Sequence, residues 1–190
     1  MRSCQIIEIL ADVVKATASG CSLTLIDGSG EKYVIDCPKI NYTFGNSQYV
    51  KDRLDELSLM PEGNLIKFPL IALFCPFKEA RDSAEYYSRA NVNILIACST
   101  SKDYSNEQRL VYSFQNILRP IYERFLLALK DDGRIDVAYN GIIGHDYSEN
   151  YSYGRYGAHT GTGDALSEPI DAINISNLVL TVKKPNCRLQ

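Results

Sequence analysis

A chain of 190 residues with 45% hydrophobic and 23% charged content can bury one sizeable core, and one domain over residues 1–190 is expected. A net charge of −3 argues against a protein that holds nucleic acid through its phosphates, which needs a surplus of Lys and Arg, although a local basic patch remains open. The run Leu70 to Phe74 is bracketed by Pro69 and Pro76, and no apolar stretch reaches the length of a membrane span.

Near the start, Glu8 and Asp12 fall where a signal peptide needs an unbroken apolar region, so export by that route is not expected. Ile6, Ile7, Leu10, Val13 and Val14 instead mark a short amphipathic helix ending near Gly20. Leu23 to Ile26 and Tyr33 to Ile35 flank Asp27-Gly28-Ser29-Gly30, the pattern of a β-hairpin whose turn needs residues tolerant of positive φ. This helix and hairpin, about 4–36, form an N-terminal unit of the domain. Tyr42-Thr43-Phe44 suggests a short strand. Asn46 or Ser47 then caps a helix with Val50, Leu54 and Leu57 on one face. Leu65 to Phe77 and Val92 to Cys98 read as two strands that pair, with Lys78-Glu79-Ala80-Arg81-Asp82 as the hairpin loop between them.

From Asn106 to Lys130, Leu110, Phe114, Ile117, Leu118, Ile121, Phe125 and Leu129 recur at spacings of three and four, giving a long helix with one apolar stripe. Ser105 with Gln108 matches a capping box. Pro120 removes a backbone donor inside that helix and is expected to kink it. Asp131-Asp132-Gly133 reads as its stop, with Gly133 available for a left-handed closing residue. Weaker strand signals follow at Ile135 to Tyr139 and Gly141 to Ile143. In the last element, Ile173 and Ile175, then Leu178, Leu180 and Val182, alternate in two registers offset at Ser176-Asn177, which predicts a strand with a bulge. Strands and helices mix without strict alternation. The expected class is α+β, a mostly antiparallel sheet packed against one long amphipathic helix and shorter helices.

Between these elements, residues of about 144–169 carry little periodicity and many Tyr, Ser, Asn and Gly, and read as a long Tyr-rich loop. That mix makes adaptable protein-contact surfaces, because Tyr offers a rigid face with a polar tip at low entropic cost. The alternative is a loop whose tyrosines cover its own sheet. If the tyrosines lie outside the core, replacing Tyr151, Tyr153 and Tyr156 by Ser leaves the fold intact and weakens association.

Chemical motifs are sparse. His145 or His159 could serve Cys75 or Cys98 as a base, but both thiols fall in β-rich runs, where Cys behaves as a small buried hydrophobe. Gly28-Ser29-Gly30 and Gly161-Thr162-Gly163 are too short for a phosphate loop. Two histidines without further ligands at metal spacing argue against zinc. Six dispersed cysteines, Cys4, Cys21, Cys37, Cys75, Cys98 and Cys187, read as free thiols of a reducing cytosol. The sequons at Asn41, Asn150 and Asn174 then carry no meaning.

The stretches Asn41-Tyr42-Thr43-Phe44-Gly45, Phe68-Pro69-Leu70-Ile71, Ser105-Asn106-Glu107-Gln108-Arg109-Leu110, Leu118-Arg119-Pro120-Ile121-Tyr122 and Ile173-Asn174-Ile175-Ser176-Asn177-Leu178 carry a resemblance. In these and in its order of elements the chain resembles tail-terminator and related head-to-tail joining (neck) proteins of tailed bacteriophages, of the kind found in phages and prophages of gut Bacteroidetes. The likeness covers most of the chain from Tyr42 onward, and the N-terminal hairpin is an addition to the family pattern that is compatible with a terminator, a connector ring or a tail-tip component. It implies a structural protein of the virion neck or tail, assembled in the bacterial host cytoplasm. Such a subunit joins copies of itself in a ring, commonly a hexamer, and meets the tail tube and the head connector or portal-side proteins.

The resemblance implies no active site, cofactor or metal, no membrane contact and no sequence-specific nucleic acid, although DNA would pass through the ring. Subunits would join edge to edge, and two elements would reach their neighbours. These are the turn at Asp27, Gly28, Ser29 and Gly30, and the segment carrying Tyr147, Tyr151, Tyr153, Arg155 and Tyr156. Two other classes remain open: a small cytosolic enzyme or ligand-binding protein using His145, His159 or a cysteine, and a phage accessory protein that binds a host protein.

Overall fold

The structure is a computed structural model and describes residues 5–26, 30–60, 67–81, 87–137, 141–153 and 169–183. The first element, α1 (Ile6–Ser19), buries Ile6, Ile9, Leu10, Val13 and Val14 along one side, as its spacing requires. Next, β1 (Ser22–Ile26) and β2 (Lys32–Asp36) pair antiparallel as a separate two-stranded sheet, Ser22 opposite Asp36 and Ile26 opposite Lys32. Of the turn between them, Asp27, Gly28 and Ser29 lie outside the described residues, and Gly30 sits exposed at φ +86°.

β3 (Asn41–Gly45), α2 (Ser47–Ser58) and β4 (Leu70–Arg81) follow. Asn46 caps α2 by accepting the Tyr49 N–H at 2.7 Å. β3 runs parallel to β4, with Asn41 opposite Leu70 and α2 within the connection. Parallel neighbours need such a crossover, so the sheet is mixed, where the lack of strict strand–helix alternation suggested a mostly antiparallel one. β4 pairs antiparallel with β5 (Tyr87–Ser99), Leu70 opposite Ala97.

The expected hairpin loop at Lys78 to Asp82 is a correction: Lys78 to Arg81 extend β4 and pair with Asn91 to Ser88. Their charge does not break the strand because Lys78, Ala80 and Arg81 project into solvent while the backbone stays in the ladder. Asp82 lies outside the described residues. The register slips between Phe74 and Lys78, around Pro76, which has no N–H to give the ladder.

Three abutting helical segments occupy the stretch expected to be one helix. They are α3 (Asn106–Arg109), a π-helical stretch at Leu110–Leu118, and α4 (Arg119–Asp131). Both hydrogen bonds of the Ser105–Gln108 capping box are present, at 2.9 and 3.2 Å. The π stretch explains how Pro120 is accommodated. In an α-helix the Pro ring meets the carbonyl four residues back. Here the wider turn precedes it, and the Arg119 N–H donates five residues back to the Phe114 carbonyl. The stop also differs from expectation. Asp132 leaves α4 in an extended conformation and accepts the Arg134 N–H at 2.9 Å, and Gly133 is not among the glycines at positive φ.

β6 (Ile135–Asp136) is a two-residue strand, and Gly141 to Ile143 form none, although Ile143 is buried. β7 (Asp146–Tyr153) and β8 (Ile170–Lys183) complete the main sheet, whose order is β3-β4-β5-β8-β6, with β7 also on the outer side of β8. The bulge in β8 falls at the expected place. Val92 faces Leu178 and Ile94 faces Ile175, so Asn93 alone opposes Ser176 and Asn177. Asn177 takes φ +54°, and its N–H donates to the Asn93 side chain at 3.1 Å. The extra residue restores phase, so that Ile173 and Ile175 before it and Leu178, Leu180 and Val182 after it reach the same core.

That core lies between one sheet face and the helices α1 and Leu110–Asp131, where Phe114, Leu118, Ile121, Phe125 and Leu129 meet Val92, Ile94, Ile96, Ile173 and Leu180. Each fully buried side chain of this size contributes roughly 1.5–3 kcal/mol. A smaller cluster on the opposite face packs Val50 and Leu54 of α2 on Leu70, Ala72, Leu95, Ala97, Ile170 and Ala172. The fold class is α+β.

Candidate functional site

Asp146 to Tyr153 form strand β7 and not the loop expected over about 144–169; residues 154–168 lie outside the described residues. Asp146 pairs with Ser176 and Tyr153 with Ile170, because β8 offers a free edge below the short β6 pairing at Val182 and Thr181. Among the described residues β7 pairs with β8 alone, so its outer backbone edge is open.

The pleat sends Tyr147, Glu149 and Tyr151 toward the helical side of the sheet. Glu149 accepts from Arg119 at 2.7 Å (Nε) and 3.1 Å (Nη2), and the Tyr147 hydroxyl donates to the same carboxylate. The Arg119 hydrogen bonds hold the Glu149 carboxyl below the usual range against a smaller desolvation effect. Burial, followed by the hydrogen bond to Glu149 and then its charge, pushes the Tyr147 phenol up. The Tyr147 ring packs 4.9 Å from Tyr122, and Tyr151 lies 4.4 Å from the buried Phe114 ring, both typical aromatic separations. Tyr147 is still 41% exposed and Tyr151 36%, so each ring has one side on the helix and one toward water. The edge is thus rigid and aromatic.

His145 belongs to the same belt. Its Nδ1 lies 2.7 Å from the Ile143 carbonyl, which can only accept, so Nδ1 carries a proton, and Nε2 shares a hydrogen bond with the Tyr122 hydroxyl at 2.7 Å. Both ring nitrogens are thereby engaged. Cys98 is buried elsewhere: burial pushes its thiol up to about 12, with the Asp171 charge adding and a Ser113 hydrogen bond opposing. Burial also raises the Cys75 thiol. Among the described residues the partners of His145, Ile143 and Tyr122, differ from those of Cys98, Asp171 and Ser113. His159, Arg155 and Tyr156 lie outside the described residues, and Tyr153 is placed only by its backbone pairing.

A buried polar cluster went unread in the sequence. Arg109 donates to Asp171 at 3.0 Å, to the Ser101 carbonyl at 2.7 Å and to the Tyr104 carbonyl at 3.2 Å, while Ser113 donates to the second Asp171 oxygen at 2.7 Å. Its signal was Asp171 itself, a charge in phase with inward Ile173 and Ile175, opposite Arg109 and Ser113 one helical turn apart. This cluster pins the π stretch and α3 to β8.

Among the described residues no group of three or more His, Cys, Asp or Glu is placed to hold a metal, and no helix is long and apolar enough to cross a membrane. No protein-family model matches the chain, and no curated protein matches it.

Proposed function

We propose that this chain is a structural subunit of a tailed-bacteriophage virion, a ring-forming tail terminator or neck connector that works through protein contacts and makes or breaks no covalent bond. The observation that carries the reading is the outer edge of β7, open among the described residues, lined by half-exposed Tyr147 and Tyr151 and held by the Arg119–Glu149 pair. Such an edge presents unpaired backbone donors and acceptors together with aromatic rings, which is what an incoming strand or loop engages. Prior fixing of the edge lowers the entropic cost of that engagement.

In this reading the helical segments from Asn106 to Asp131 act as one long rod behind a mostly antiparallel sheet, stiffening the subunit. Partners are other copies in a ring, hexameric by the family resemblance, with the tail tube on one side and head-connector or portal-side proteins on the other. DNA crosses the lumen without sequence readout. The protein resides in the neck or tail of the virion and assembles in the host cytoplasm. Electron microscopy of the purified chain, alone and with its tail-tube protein, tests the proposal. Closed rings support it; a monomer in both preparations, or substrate turnover that vanishes when His145 or a cysteine is replaced, overturns it.

A further inference from the structure

Among the described residues β2 also has an open edge, and that edge is complementary to itself. All five residues, Lys32-Tyr33-Val34-Ile35-Asp36, are exposed, with Tyr33 at 48%, Val34 at 63% and Ile35 at 37%, and among the described residues β2 pairs with β1 alone. A two-stranded ribbon is marginal in water by itself, and adjacent large apolar residues on a bare edge are what natural edges usually avoid.

The hydrogen-bond phase fixes which residues face outward. The Cys37 N–H donates to the Cys21 carbonyl at 2.9 Å, one step beyond the Ser22–Asp36 pair. Ser22–Asp36 is therefore a non-hydrogen-bonded pair, and by strict alternation so are Thr24–Val34 and Ile26–Lys32. The backbone N–H and C=O groups of Lys32, Val34 and Asp36 consequently point away from β1, toward the free edge.

From this geometry we infer that β2 pairs antiparallel with β2 of a second copy of this chain across a two-fold axis at Val34. In that register each of the three outward residues exchanges both backbone hydrogen bonds with its opposite. Lys32 faces Asp36 of the second copy and Asp36 faces its Lys32, flanking the Val34 pair on one face. On the other face Tyr33 meets Ile35, an aromatic against a β-branched side chain, twice. A parallel or shifted pairing loses this match, and a one-residue slip also puts residues whose backbone bonds are already spent on β1 into hydrogen-bonding positions. A five-residue strand pair covers less than the area of a stable dimer, roughly 1,200–2,000 Å² in total. The association is accordingly reversible and concentration-dependent. It is independent of the proposed ring: a two-fold contact doubles the mass of whatever unit carries it.

Sedimentation velocity over a concentration series reads this directly. The wild-type chain shows a unit and its double. Lys32→Glu, which sets Glu against Asp36 at both ends, weakens the doubling about tenfold or more, since opposed like charges in a strand pair repel. The double variant Lys32→Glu with Asp36→Lys restores it, with circular dichroism showing an unchanged fold in each. A wild-type chain that never doubles, a Lys32→Glu variant that doubles as the wild type does, or a double variant that stays as weak as the single one overturns the inference. Doubling that needs an added strand from a different protein also overturns it.

Discussion

Replacing Asp171 by alanine removes the acceptor that neutralises Arg109 where neither side chain reaches water: the Asp171 side chain is 0% exposed and that of Arg109 5%. The guanidinium loses the Asp171 carboxylate and keeps the Ser101 and Tyr104 carbonyls, and Ser113 loses its Asp171 acceptor. Breaking a buried pair from one side costs about 3–5 kcal/mol, chiefly because the remaining charge stays desolvated. In a domain of this length each kcal/mol moves Tm by roughly 2–4 °C, so a fall of roughly 10 °C is expected. Urea unfolding followed by circular dichroism measures the free energy, and a calorimetric scan the temperature. The triple variant Arg109→Met, Ser113→Ala, Asp171→Val discards the charges together and recovers part of the loss, because the penalty comes from leaving one partner alone. A loss below about 1 kcal/mol for Asp171→Ala, or a triple variant no better than the single one, refutes the reasoning.

Further outcomes follow from the β7 belt and the thiols. The Glu149 carboxyl is depressed by Arg119, so its contribution is present above the unfolded carboxylate pKa and is lost as pH falls through the lower folded value. Glu149→Gln should therefore cost about 1 kcal/mol or less at pH 7, Arg119 being 39% exposed, and nothing further in strong acid, as urea titrations at the two pH values measure. Tyr151→Ser should destabilise by about 1–2 kcal/mol through loss of the Phe114 contact; unchanged urea stability contradicts the packing. Iodoacetamide at pH 8 should label exposed Cys37 and leave Cys98 unmodified in the native protein, and mass spectrometry of the peptides reads both.

Elements with one strong period were legible. The stripe Leu110 to Leu129, the Ser105 cap and the phase change at Ser176-Asn177 each record a local requirement that a sequence states directly. What a segment pairs with was less visible. Asp146 to Tyr153 reads as loop because every residue is polar or aromatic, yet β8 supplies the ladder and Phe114 and Tyr122 supply the apolar contact. The parallel pairing of β3 likewise depends on where α2 lands, which the short strand signal Tyr42-Thr43-Phe44 does not carry. The π stretch was implicit in Pro120, since a helix that continues through Pro must relieve the carbonyl behind it. The proposed contact residues divide the same way: composition singled out Tyr147 and Tyr151, while their anchors Arg119 and Glu149 are far from each other in sequence and meet only in the fold.

Hydrogen exchange of the assembled particle against the dissociated subunit tests the central claim most directly. If copies meet through the outer edge of β7, amide exchange along Asp146–Tyr153 slows on assembly while β5, already paired on both sides by β4 and β8, does not change. A closed ring in which the β7 amides exchange as fast as in the free subunit would contradict the account.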